Sequence, residues 1–294
     1  MNGQQAIYLR WTFFLVTLLL PGIVFAAGGF SKGLLWKVES QSGQPAYLFG
    51  TMHSEDKRVT TLPAPVQKAF DSSSSFTLEV KLDVQVAFET LSRMMITDGS
   101  NLNTIIGDQL FAKSAALMIG YGMPEPVLNG LKPWAVFVTL STPKIKTGLF
   151  LDKVLYDMAV SSGKKIYGLE TVSEQLSIFD DMPVDDQVIL LKDTIENHAR
   201  LPGIFEEMTS IYVQRDLDGL VAFNEKHIKV GNTRVTEALM ERLLVDRNVR
   251  MVDRMTDQLK QGGAFIAVGA LHLPGKKGIL NLLQNKGYEI SAVY

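Results

Sequence analysis

Tyr47-Leu48-Phe49-Gly50-Thr51-Met52-His53 is an apolar run that breaks at a glycine and presents a histidine three residues later. The same arrangement returns near the other end of the chain, where Phe265-Ile266-Ala267-Val268-Gly269 is followed by Ala270-Leu271-His272. Each run reads as a buried strand, and the chain has only four histidines to distribute. In open α/β sheets, ligands bind outside the carboxyl ends of the strands. Two imidazoles delivered to one such edge are the beginning of a metal or acid–base site.

Outward from the first run, the chain reads strand, polar loop, helix, strand. Pro63-Ala64-Pro65 suits a helix start, Val66, Ala69 and Phe70 share a helical face, and Phe76–Val80 is β-rich. A βαβ unit would set Phe76–Val80 parallel to the first strand. Glu79 would then lie on the same sheet edge as His53. Lys164–Leu169 is a further short strand, and Glu170 stands at its carboxyl end. Gly262-Gly263 introduces the strand that ends at Gly269, a helix follows from Lys277 to Asn285, and Glu289–Tyr294 reads as a last strand. Between these lie two helical tracts, at about 84–163 and 185–261. The expected fold is therefore α/β: a mostly parallel sheet built from both chain ends, interrupted by helical insertions, in a single domain over 27–294.

The first 26 residues read as a signal peptide. Arg10 is their one charge, Trp11–Leu20 is apolar, Pro21-Gly22 breaks the run, and Val24-Phe25-Ala26 has small-x-small spacing. The apolar stretch is shorter than the roughly 20 residues of a membrane span. Export to the periplasm or the medium, with no stable anchor after cleavage, is the expectation. Losing Met1–Ala26 removes one base and no acid from a formal charge of -2, leaving -3. That balance speaks against a nucleic-acid partner, which normally requires a basic face. The chain has no cysteine, so any metal ligands must be imidazole and oxygen.

The four strand ends thus carry His53, Glu79, Glu170 and His272. Two imidazoles with one or two carboxylates suit Zn, Mn, Fe or Co. A bound divalent ion makes hydroxide available near neutral pH, and a spare carboxylate accepts its proton. Glu170, opening the next helix, has a simpler reading as a partner of the helix dipole. Glu55 and Asp56 are alternative ligands, although a solvated loop is the better explanation of them. Asp246-Arg247-Asn248 sits in a helical stretch, where an Arg-Asn pair is suited to orienting a carboxylate or a substrate carbonyl. His198 and His227 read as surface residues, and the methionines at 94, 95, 118, 208, 240, 251 and 255 as core.

The segments LFGTMH, TLEV around Glu79, LKPW at Leu131–Trp134, YGLET with Gln175 following, DRN at Asp246–Asn248 and the closing VGALHLPGKKGILNLLQNKGYEI resemble the TraB/PrgY/GumN family, which includes the animal Tiki proteins. That resemblance implies a fold related to the erythromycin-esterase and ChaN-like proteins. Tiki members are metal-dependent peptidases that cut an extracellular signalling protein; PrgY-like members act on or sequester a peptide, and ChaN-like relatives bind haem iron. By resemblance, His53, Glu79 and His272 form the core of a site for a divalent metal (Mn, Co or Zn), with Glu170, Arg247 and Asn248 supporting it or the substrate. The expected function is an exported metallohydrolase acting on peptide or unfolded polypeptide. The alternatives are a non-catalytic peptide- or haem-binding protein of the same fold and metal-free hydrolysis by a His/Glu pair.

Overall fold

The computed structural model describes residues 29–40, 43–227 and 233–294. The signal-peptide expectation for residues 1–26 lies outside them. Six strands form one sheet: β1 (Leu35–Glu39), β2 (Ala46–Thr51), β3 (Ser75–Leu78), β4 (Lys165–Gly168), β5 (Ala264–Gly269) and β6 (Glu289–Ala292). Their order is β4-β3-β5-β2-β1-β6. The pairs β4–β3, β3–β5 and β5–β2 are parallel, whereas β1 runs antiparallel to both β2 and β6. The sheet is therefore mixed, and it draws its strands from both ends of the chain as expected.

β1 has no counterpart among the expected strands. Its Leu-Trp-Lys-Val-Glu sequence has a buried Leu35, Trp36 and Val38 beside half-buried Lys37 and Glu39, an alternation with one interruption that a five-residue segment shows only weakly. The two central strands are legible for the opposite reason. Phe265, Ile266, Ala267 and Val268 on β5, and Ala46, Leu48 and Phe49 on β2, are all buried, because helices cover both faces of a parallel sheet. The remaining expected strands are one or two residues shorter than their apolar runs, so Glu79 and Glu170 lie just past β3 and β4.

Two hydrophobic clusters result. One is the sheet with its flanking helices, including Phe70, Phe76, Leu155, Met251, Met255 and Phe265. The other is helical and combines both insertions: Leu102, Met118, Trp134 and Phe137 from the first pack with Leu190 and Val235 from the second. The Leu131–Trp134 motif belongs to this second cluster. Pro133 opens helix Pro133–Leu140, while the Lys132 ammonium and the Trp134 indole N–H both donate to Asp180 Oδ1, at 2.6 and 2.9 Å.

Two core or surface expectations need correction. Met95, just past helix Val84–Met94, is exposed, whereas Met94 is half-buried and packs against the helical cluster. Val84, Phe88 and Leu91 are likewise exposed on that helix. His198 is half-buried rather than superficial, its Nδ1 lying 3.0 Å from the Leu140 carbonyl. His227 ends helix Leu217–His227, and its side chain lies outside the described residues.

Candidate functional site

The parallel register places the site. β2 and β5 stay paired to their last residues, Thr51 opposite Gly269, and β3 lies on the other side of β5 with Thr77 opposite Ile266. Glu79, two residues past Thr77, thus arrives beside the end of β5. Its Oε1 accepts the Gly269 backbone N–H at 2.7 Å. The two Gly-x-x-His glycines serve different purposes here. A Cβ at Gly269 would sit 3.4 Å from both Glu79 Oε1 and the His272 ring, whereas one at Gly50 would come within 2.7 Å of Leu273 Cδ1 and 3.1 Å of Ala270 Cα. Gly50 therefore admits the turn that carries His272.

Arg247 ties two strand ends together. Its Nη2 donates to Glu79 Oε2 at 2.6 Å, while Nε donates to Glu170 Oε2 at 2.9 Å. Gln175 Nε2 donates to the same two carboxylates, at 3.2 Å each. Glu170 is buried, and its Oε1 accepts no hydrogen bond; Arg250 Nε approaches it to 3.5 Å. The helix that follows, Val172–Asp180, is capped reciprocally by Thr171 and Glu174, and Glu170 itself is bonded to Arg247 and Gln175. The expectation that Arg247 orients a carboxylate takes a specific form: one guanidinium shared by Glu79 and Glu170 over sequence separations of 168 and 77 residues.

Arg247 and its neighbour Asn248 begin helix Asp246–Gln261, directly after a π-helical turn over Glu241–Val245. Such turns are frequent at functional sites because they re-aim the residues that follow. Asn248 reaches the second histidine: His272 Nδ1 lies 2.7 Å from Asn248 Oδ1, while Asn248 Nδ2 donates to the Lys277 carbonyl at 2.8 Å. The latter bond fixes which way the amide faces. Nδ1 of His272 is then the protonated nitrogen, and Nε2 carries the lone pair. That lone pair faces Glu79 Oε1 across 3.7 Å.

Electrostatics agree with this assignment. Burial drives the His272 pKa down to about 3, and the Arg247 charge adds to the effect despite the opposing pull of Glu79. The ring is neutral at physiological pH. Burial by itself would raise the Glu79 pKa, but the Arg247 guanidinium, the His272 ring in its charged form and the Gly269 N–H together prevail and hold it at about 2. Two electron-pair donors, one neutral and one anionic, therefore face each other with no proton between them.

His53 lies apart from this network. Its side chain is 62% exposed; its ring lies against Phe150 with centroids 3.8 Å apart and planes tilted by 36°, and Nδ1 is 3.7 Å from Asp152 Oδ2. Glu55 and Asp56 prove to be structural. Glu55 accepts the backbone N–H groups of Lys146, Thr147 and Gly148, and Asp56 caps helix Lys57–Thr60 and pairs with Arg58. The donor chemistry of His272 Nε2 and Glu79 Oε1 fits a divalent transition metal. Among the described residues, however, no three or more His, Asp or Glu side chains are grouped to hold an ion.

Sequence reasoning did not assign roles to Gln175, Arg250, Phe150 or Asp152. Gln175 had a signal in its place four residues after the end of YGLET. Asp152 had none, since only tertiary packing brings it to β2.

With this geometry in view, the chain belongs to the TraB/PrgY/gumN family, whose model matches residues 34–292. It is similar to proteins named Metalloprotease TIKI2 from Danio rerio, 24% identical over 88% of this chain and 60% of the relative, and from Xenopus tropicalis, 24% identical over 88% and 59%. Metalloprotease TIKI1 from Homo sapiens is 22% identical over 88% of this chain and 61% of its own. The chain thus spans about three fifths of the length of these curated relatives. No solved structure matches it. Among the described residues, no helix is long and apolar enough to cross a membrane.

Proposed function

We propose that this protein is an exported, metal-dependent hydrolase acting on peptide or unfolded polypeptide. The observation that carries the reading is the facing pair His272 Nε2 and Glu79 Oε1, two unprotonated donors 3.7 Å apart at adjoining strand ends. His272 and Glu79 would supply two ligands to a Mn, Co or Zn ion, and His53, which is not grouped with them, would have to approach to supply a third. Such an ion, when bound, would make a water-derived nucleophile available near neutral pH. The names of the Tiki relatives support a metal and a polypeptide substrate.

The remaining roles belong to the protein. Asn248 keeps His272 in the tautomer that leaves Nε2 free, as outer partners of metal-bound imidazoles generally do. Arg247, anchored by buried Glu170, keeps Glu79 ionised and oriented. A carboxylate held at about 2 is a weak proton acceptor at neutral pH, so Glu79 is assigned as a ligand in preference to a general base. The second reading is a protein that captures a peptide or a haem without turnover.

Metal analysis of the purified mature chain, set against His272→Ala and His53→Ala, tests the proposal. About one equivalent of metal in the parent, lost in either variant, together with chelator-sensitive peptide cleavage, is the expected result. Saturable binding with no turnover for any peptide, with or without added metal, selects the second reading.

A further inference from the structure

The two Gly-x-x-His histidines meet their supports through the same atom. His272 presents Nδ1 to Asn248 Oδ1 at 2.7 Å, and His53 presents Nδ1 to Asp152 Oδ2 at 3.7 Å. The second separation exceeds a hydrogen bond, but Asp152 is held in place. Its Oδ1 accepts the Thr51 hydroxyl at 2.8 Å, so the strand end that carries His53 also anchors the residue facing it. Oδ2 is the oxygen left toward the imidazole. Asp152 stands in the first turn of helix Leu151–Ser161, and Phe150, the residue preceding that helix, covers one face of the His53 ring. The loop before Phe150 is tied back to the same strand exit through Glu55 and the backbone N–H groups of Lys146, Thr147 and Gly148.

A neutral His53 with a bare Nδ1 would set a lone pair against the Asp152 carboxylate. The Nδ1–H tautomer replaces that repulsion with attraction, and it leaves the Nε2 lone pair directed away from Asp152. We propose that Asp152 is the positioning residue of His53, holding it as the Nδ1–H tautomer with Nε2 available, as Asn248 does for His272. The consequence for metal binding rests on the reading of His53 as a ligand; the tautomer assignment does not. Outer partners of this kind are typically worth about ten- to a hundredfold in metal affinity.

The test is ¹⁵N NMR of the imidazole nitrogens in metal-free protein at about pH 8, above the ordinary imidazole titration, with His53 identified through His53→Ala. Wild-type His53 is expected as the Nδ1–H form. Asp152→Ala should move it to the Nε2–H form preferred by an unrestrained histidine side chain while leaving the His272 signals in place, which also reports an intact fold. Thr51→Val, which keeps the carboxylate but removes its anchor, should shift it part of the way. Zinc affinity by equilibrium dialysis should fall about ten- to a hundredfold in Asp152→Ala. An Nε2–H His53 in the wild type overturns the assignment even if no variant folds, and so does a tautomer unchanged by Asp152→Ala. Wild-type protein that binds no metal yet shows the Asp152-dependent tautomer removes the metal reading and leaves this assignment standing. Zinc binding with an unresponsive tautomer does the reverse.

Discussion

Asn248 and His272 form a hydrogen-bonded pair whose polarity is set from outside. Asn248 Nδ2 is committed to the Lys277 carbonyl, so Oδ1 must be the atom 2.7 Å from His272 Nδ1. Removing the amide should release the ring and leave a buried imidazole N–H without its acceptor. Asn248→Ala is expected to lose about 1–3 kcal/mol of stability and about ten- to a hundredfold in zinc affinity. Thermal melts and equilibrium dialysis measure the two effects separately.

Arg247 holds two carboxylates at once, and its side chain is 9% exposed. Arg247→Leu strands Glu170 in the interior with no compensating charge of equal proximity, and should destabilise the fold by about 3–5 kcal/mol. Adding Glu170→Gln should recover part of that loss. Urea denaturation of the single and double variants decides the matter: additive losses would mean that the two residues are not coupled.

Acid should destabilise the metal-free protein from two sources with the same sign. His272 is depressed from 6.5 to about 3 in the fold. Between those values the unfolded chain binds the extra proton, and stability falls as pH falls. Glu79, depressed from 4.5 to about 2, adds stability above its unfolded pKa that is lost as pH drops from about 4.5 towards 2. One such proton changes stability by about 1.4 kcal/mol per pH unit. His198, lowered by burial, contributes in the same direction as His272. His272→Gln should therefore reduce, without abolishing, the slope of stability between about pH 6.5 and 4.5. Chemical denaturation at a series of pH values measures it.

Chelation should abolish peptide cleavage, and returning a divalent ion should restore it. Glu79→Gln preserves shape but removes the charge that faces His272 Nε2, and should lower metal occupancy and, in step with it, turnover. His198→Ala should spare turnover while costing some stability, because His198 is partly buried against the Leu140 carbonyl. Activity indifferent to chelator and to Glu79→Gln would remove the proposed mechanism and leave the family membership untouched.

Gly50→Ala should also destabilise, for a packing reason. The new methyl group would press on Leu273 Cδ1 and the Ala270 backbone, and overpacking of this kind costs about 1–3 kcal/mol. The His272 turn would shift with it, so metal affinity should fall alongside the melting temperature.

Much of this arrangement is local and can be read along the chain. The strands β2 and β5 are continuous apolar runs because both faces of a central parallel strand are buried, and each ends at a glycine with a histidine three residues on. Glu79 and Glu170 likewise follow β-rich segments, so parallel pairing alone delivers all four groups to one edge. Other features depend on partners far apart in sequence. β1 is too short for its pattern to stand out, and it becomes a strand by pairing with β2 and β6. A charged helix residue is ordinarily solvated, and only packing of the Asp246–Gln261 helix beneath the strand ends turns Arg247 into the buried link between Glu79 and Glu170. Asp152 reaches Thr51 across 101 residues of chain. Local periodicity records which face of an element is buried; it carries no record of which distant side chain meets that face. The sequence by itself thus determined the strand ends and the donors placed on them, while tertiary packing alone decided which donors face one another, which tautomer His272 adopts and which carboxylate Arg247 keeps ionised.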